Sequence, residues 1–383
     1  MDAESKFHVL MTADTVGGVW THAIELAEGL GRRGVCVTLA TMGAPLSDAQ
    51  RAQAAALPLL RTFESAARLE WMADPWPDVR QAGEWLLRLE QAVKPDLVHL
   101  NQFSFGSLPF RAPTLLVAHS CVLSWWEAVH GEPAPPQWDR YRRAVARGLR
   151  GATLVAAPTA TMLAALHRHY GHDRRGVVLC NGRSGRRFTP QPKDPLILSA
   201  GRLWDAAKNL DALEAIAPRL PWPVAVAGRT QAPAGEDRSV RGVQALGELA
   251  PPELARWLGR AAIYAAPARY EPFGQTALEA ALSGCALVLG DIPSLREVWG
   301  PAALFAPPED HEALRAALAL LIADDALRER MANEARARAQ RYTARRMVDA
   351  YLAVYRRLMH GATRAARAGS SLTLVSPEAA CTS

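Results

Sequence analysis

Residues 262–289 read AIYAAPARYEPFGQTALEAALSGCALVL. The opening run, Ala262–Ala266, is apolar on both faces, which is how a strand buried in a parallel sheet reads. Pro267–Glu271 interrupts it, Pro272-Phe273-Gly274 turns the chain, and apolar residues then recur at helical spacing from about Gln275 to Ser283. A second apolar run, Ala286–Leu289, follows Gly284. Strand, helix, strand in this order is one βαβ unit, and such units build parallel sheets.

The same alternation extends in both directions. Apolar runs recur at Phe7–Met11, Val35–Ala40, Leu97–Leu100, Thr114–Ala118, Thr153–Ala157 and Val177–Cys180. A second set lies at Leu196–Ala200, Pro223–Ala227, Ala262–Ala266, Ala286–Leu289 and Ala303–Phe305. Helical patterns fill the gaps, among them Val19–Leu30, Pro252–Leu258 and His311–Ile322. The pattern restarts after Asn181–Pro195, a polar, Gly- and Pro-rich stretch. The expectation is an α/β chain of two doubly wound parallel-sheet domains, over 1–185 and 186–340. A closing helix over 341–360 and a disordered tail over 361–383 would follow. Ligands of such sheets sit outside the carboxyl ends of the strands, so the chemistry is expected in the loops that follow them, in a cleft where the two sheets face each other.

Composition excludes several classes. With 383 residues, 49% hydrophobic and 21% charged, the chain is globular rather than disordered or fibrous. Its net charge of +6 is a weak excess for this length. The basic residues are spread over both halves without an aromatic-interleaved motif, so nucleic acid is not an expected partner. No apolar run is long enough to span a bilayer, and Met1–Lys6 lacks the pattern of a signal peptide, which fits a cytoplasmic protein. The five cysteines show no CxxC spacing, so neither a zinc site nor a disulfide framework is indicated. His167, His169 and His172 lack carboxylate or cysteine partners at metal-binding spacing and are read as a solvated face.

Three loops carry chemistry. After the first strand, Gly17-Gly18 opens a helix, where glycine admits a close ligand and the helix start offers N–H groups to an anion. After Leu196–Ala200, Arg202 and Lys208 stand on one loop, and two cations there can clamp a diphosphate. Only four of the 44 basic residues are lysine, which singles out Lys208. After Ala262–Ala266, Glu271 stands on the loop and Glu279 about one turn into the helix, carboxylates of the kind that accept sugar hydroxyls in pairs.

Together these residues resemble the retaining glycosyltransferases of family 4, which have the GT-B fold. The resemblance rests on Gly17-Gly18, on Gly201-Arg202 with Lys208, on the E-x7-E frame of Glu271 and Glu279, and on Ser283-Gly284-Cys285-Ala286-Leu287-Val288. In that last run Ala286 replaces the family's usual proline. The resemblance implies two Rossmann-like domains facing across a cleft, and transfer of a sugar from a nucleoside-diphosphate sugar to a hydroxyl acceptor. Arg202 and Lys208 would hold the diphosphate, and Glu279 the ribose. Glu271 and the backbone of Phe273, Gly274, Gln275 and Thr276 would hold the sugar. Gly17 and Gly18 would meet the diphosphate, while Gly228 and Leu246 would flank the base. His119, after Thr114–Ala118, matches a family histidine near the sugar. With no Asp-x-Asp in the chain, the resemblance implies that no metal cofactor is needed, and that the leaving phosphate itself takes the acceptor proton.

The acceptor is less legible. Trp125, Trp126 and Trp76 are the candidates for stacking on an acceptor sugar. The arginine-rich stretch 139–150 would suit peripheral membrane contact with a lipid-linked acceptor, against the plainer reading of a solvated helix. A GT-B phosphorylase or epimerase, or a non-catalytic nucleotide-sugar binder, are the competing readings.

Overall fold

The computed structural model describes residues 7–368 apart from 174–175, 233–234 and 236. Its first half runs β1 (His8–Asp14), α1 (Gly18–Gly31), β2 (Cys36–Met42), α2 (Asp48–Ala55), β3 (Leu60–Glu64), α3 (Trp76–Val93), β4 (Leu97–Leu100) and β5 (Thr114–Val117). Then come α4 (Val122–His130), α5 (Asp139–Gly151), β6 (Leu154–Ala157), α6 (Ala160–Tyr170) and β7 (Val177–Val178). The second half runs β8 (Asp194–Ala200), α7 (Leu210–Ile216), β9 (Val224–Ala227), β10 (Gln244–Gly247), α8 (Pro251–Arg260), β11 (Ala261–Ala266) and α9 (Gln275–Leu282). It ends with β12 (Ala286–Gly290), α10 (Pro293–Trp299), β13 (Leu304–Ala306), α11 (His311–Ala323), α12 (Asp325–Ala339) and α13 (Ala344–Ala368).

The strands form two all-parallel sheets, ordered β3-β2-β1-β4-β5-β6-β7 and β10-β9-β8-β11-β12-β13. In each, the chain first builds outward on one side of a central strand and then returns to its other side. The reversals fall at β1/β4 and β8/β11, the topological switch points at which such sheets open a crevice. The central strands are buried on both faces, as their continuous apolar runs require.

The chain packs as two compact units. One holds the described residues up to Leu123, Ala134–Gly182 and the described residues from Ala344; the other holds Ser124–Pro133 and the described residues of Arg183–Thr343. In the first unit α1 and α13 lie against one sheet face, with Tyr351 and Tyr355 fully buried. In the second, the core gathers Ile197, Val226, Ile263, Val288, Leu314 and Leu318 from the sheet and α11. The Lys193 ammonium supports this unit from beneath, donating to the carbonyls of Gly259 (2.8 Å), Ala261 (2.9 Å) and Ser283 (2.7 Å).

Three sequence readings are corrected. The edge strands β3 and β10 carry no continuous apolar run and escape the pattern; β10 is mostly exposed. The closing helix α13 continues to Ala368, so the expected tail over 361–383 does not begin at Gly361, and its part beyond Ala368 lies outside the described residues. His172 is buried rather than solvated, and its carbonyl faces the His167 ring at 3.1 Å.

Candidate functional site

The loop after β8 is organised by one carboxylate. Asp205 caps a single turn of 3-10 helix, Ala206–Lys208, by accepting the Ala207 N–H at 3.0 Å. The same oxygen, Oδ1, accepts from the Trp125 indole N–H at 2.8 Å, while Oδ2 accepts from the Arg202 guanidinium at 2.8 Å. Burial pushes the Asp205 carboxyl up, but Arg202, Lys208 and the two N–H donors outweigh that and hold it below the ordinary carboxylate range. The Arg202 guanidinium also stands over the Trp204 ring, 5.4 Å from its centroid. Gly228 fixes the loop from the neighbouring strand end. At φ +144° a side chain is strained, and a Cβ there would lie 1.7 Å from the Gly201 carbonyl oxygen.

The loop after β11 brings Glu271 to Lys208, whose Nζ donates to Glu271 Oε2 at 2.6 Å. Burial raises the Glu271 carboxyl; the Lys208 ammonium, the Gly274 N–H and the Arg202 charge reverse this and leave it below its usual range. Gly274 caps α9 at φ +85°, a left-handed conformation suited to glycine. Its N–H serves Glu271, while Ser294 donates its hydroxyl to the Glu271 carbonyl at 2.6 Å. The Phe273 ring is buried against Tyr342, 5.4 Å between centroids, so Phe273 presents only backbone. A cavity lined by Gly201, Lys208, Tyr264, Glu271 and Thr276 opens at the β8/β11 switch point. Gln275 stands half-buried at the start of α9, and Leu246 half-buried on β10.

Glu279 is not solvated. Its side chain is 8% exposed and pairs at 2.8 Å with Arg183, itself 5% exposed and stacked over Phe188 at 5.3 Å. Arg183 comes from the polar stretch between the two units, whose first residues, Asn181 to Arg183, are buried.

The first unit has its own cluster at β1/β4. Gly17 precedes α1 at φ 155°, with Gly18 exposed beside it. Asn101, after β4, donates its Nδ2 to the Thr12 carbonyl at 2.7 Å. That leaves Asn101 Oδ1 as the acceptor facing His119 Nε2 at 2.8 Å, so the ring carries its proton on Nε2 and a lone pair on Nδ1. The His22 ring lies 4.6 Å from that of His119. Burial lowers the His119 pKa to about 4 and keeps the ring neutral.

Profile matches cover nearly all of the folded chain. The Glycosyltransferase Family 4 profile matches residues 16–184, and the Glycosyl transferases group 1 profile matches residues 185–338. The chain belongs to the GT-B glycosyltransferases. Over 107 residues it is 37% identical to the glycogen synthase of Mycobacterium tuberculosis, a match that spans 27% of this chain and only 26% of that relative. Its fold is that of the sucrose-phosphate synthase from Thermosynechococcus elongatus, with a TM-score of 0.78 at 19% identity over 93% of this chain and 100% of that one. Anabaena Alr3699/HepE in complex with UDP-glucose superposes with a TM-score of 0.71 at 17% identity, over 92% of this chain and 100% of that one.

Within this glycosyltransferase, the second unit gathers Lys208, Glu271, Gly274 and Thr276 around one cavity, and Arg202 stands on the loop that carries Lys208. Glu279 lies in the same helix but is turned onto Arg183. Trp125 and Trp126 are half-buried, edge to face at 6.3 Å, and the Trp125 N–H is already engaged by Asp205. Trp76 lies in the first unit under the Arg140 guanidinium, at 4.9 Å. Sequence reasoning missed Asp205, Arg183 and Asn101. Asp205 had a signal, standing inside the Arg202–Lys208 loop at a helix-capping position. Arg183 had none, because the chain is rich in arginine throughout.

Proposed function

We propose that this chain transfers a glycosyl group from a nucleoside-diphosphate sugar to a hydroxyl acceptor, with retention of anomeric configuration and without a metal. The observation that carries this reading is the Lys208–Glu271 pair lining the cavity at the β8/β11 switch point, with a second cation, Arg202, held by Asp205 on the same loop as Lys208. The diphosphate takes Arg202 and Lys208, which neutralise the charge that grows on the leaving group, the work a divalent ion does elsewhere. Glu271 and the first backbone groups of α9 hold the sugar hydroxyls, and Glu279 the ribose. The bond from the anomeric carbon to the phosphate oxygen breaks as the acceptor oxygen bonds to the same face. The acceptor proton passes to the departing phosphate, so positioning and electrostatics are the protein's contribution. Uridine donors are the first to test, because Alr3699/HepE was solved with UDP-glucose. A lipid-linked acceptor would find the exposed Arg143, Arg147 and Arg150 of α5 a suitable contact for anionic headgroups.

The test is a thermal-shift titration with UDP, GDP, ADP and their sugar conjugates, with and without EDTA, on wild type and Lys208→Met. One nucleotide series should raise the melting temperature regardless of EDTA, and the rise should vanish in Lys208→Met. No shift in any series overturns the donor reading. Proton NMR of the product then reports the anomer; an inverted one removes the retaining mechanism.

A further inference from the structure

We propose that Asp205 is a positioning residue for the donor diphosphate, aiming the Arg202 guanidinium through an ion pair that the Trp125 indole locks from the other side. This rests on the donor reading above. Three contacts converge on a carboxylate only 3% exposed: Arg202 Nη2 and Trp125 Nε1 at 2.8 Å each, and the Ala207 N–H at 3.0 Å. The guanidinium is held from a second direction by the Trp204 ring, yet the Arg202 side chain stays 42% exposed. It is therefore fixed and still presented. Asp205 also caps the turn that delivers Lys208, so one buried acid sets the direction of both cations.

The arrangement is informative because it works against simple attraction. A carboxylate beside Arg202 cancels part of the charge that would draw a diphosphate. It helps the donor only if the direction of the guanidinium matters more than its net charge, because a side chain ordered before binding loses less entropy on binding. An asparagine at 205 cannot satisfy the same set: its single oxygen serves either Arg202 or the Trp125 and Ala207 donors, and its amide opposes the other.

The experiment is calorimetric titration of whichever of UDP, GDP and ADP the wild type binds, and of the matching nucleoside, into Asp205→Asn, Trp125→Phe, Arg202→Ala and the Asp205→Asn/Arg202→Ala double variant. Trp125→Phe keeps the packing and loses only the indole donor, which covers the case of a poorly folded Asp205→Asn; melting curves report the fold of each. Asp205→Asn and Trp125→Phe should each weaken the diphosphate roughly three- to tenfold, the weight of one pre-ordered side chain. Nucleoside binding should not change, and Asp205→Asn should add nothing once Arg202 is gone. Tighter diphosphate binding in Asp205→Asn, equal loss of nucleoside, or additivity with Arg202→Ala overturns the positioning role while the donor reading stands. If Arg202→Ala binds like wild type, the donor reading fails and the proposal with it.

Discussion

Replacing Arg183 by methionine should destabilise the second unit more than any surface substitution. The Arg183–Glu279 pair spans 2.8 Å with side chains 5% and 8% exposed, so neither charge is screened by water. Removing one partner of such a pair leaves the other buried without its counter-charge, at a cost of about 3–5 kcal/mol. In a unit of roughly 170 residues each kcal/mol moves the melting temperature by about 2–4 °C, so Arg183→Met should melt about 6–20 °C lower. The same reasoning gives the companion result. Arg183→Met with Glu279→Met replaces both charges by apolar groups of similar volume, which is often neutral or stabilising. The double variant should regain most of the loss and, on the proposed role of Glu279 at the ribose, bind the nucleotide less well than wild type. Calorimetric melts of the two singles and the double, with and without nucleotide, decide the matter. A single variant within about 2 °C of wild type, or a double that melts below both singles, would refute the buried pair as the holder of Glu279.

Two further outcomes follow from the geometry. Gly228→Ala places a Cβ 1.7 Å from the Gly201 oxygen at a φ only glycine adopts freely; it should cost about 1–3 kcal/mol and weaken diphosphate binding by shifting the Arg202 loop, and unchanged melting and titration curves would contradict this. Burial lowers the pKa of His99 to about 3 and of His119 to about 4, so both rings are neutral in the native state, whereas the unfolded chain takes up these protons at about pH 6.5. Their contribution to stability is complete above about pH 6.5 and is lost as the pH falls towards about 4; melting temperatures between pH 7.5 and 4.5 should show this slope, and His99→Gln should flatten it.

Where the sequence was legible, a residue's environment was set by its neighbours in the chain. The central strands β4, β5, β11 and β12 are buried on both faces and spell continuous apolar runs. The strand-end loops that carry Arg202, Lys208 and Glu271 follow from topology once those strands are placed. Partners set by tertiary approach left no local trace. Lys208 meets Glu271 across 63 residues, and Trp125 meets Asp205 across 80. The edge strand β10 is solvated and reads like a loop. Asn181 to Arg183 read as a polar link, yet they are buried because Arg183 is drawn under α9 by Glu279. A buried charge carries the same letter as an exposed one, and only its partner tells them apart.

The charge balance of the donor cavity gives the proposed function a further physical consequence. Arg202 and Lys208 are each paired with a carboxylate, Asp205 and Glu271, so the cavity does not present two unopposed cations. The two pairs differ in depth. The Asp205 carboxylate is 3% exposed and has three donors, whereas the Lys208 and Glu271 side chains are 24% and 23% exposed and share one bond. A diphosphate entering the cavity competes far more easily for Lys208 than for Asp205's hold on Arg202. Once Lys208 turns to phosphate, Glu271 Oε2 loses its partner and becomes an acceptor in need of donors, at the place where the sugar hydroxyls arrive. On the proposed function, anion and sugar recognition would be coupled through a single ion pair: a nucleotide without its sugar would leave Glu271 half-satisfied, and a sugar without its diphosphate would have to displace Lys208 unaided. A half-buried carboxylate that has lost its strongest donor is left under-satisfied, so on the proposed function the complete donor is favoured over either of its parts.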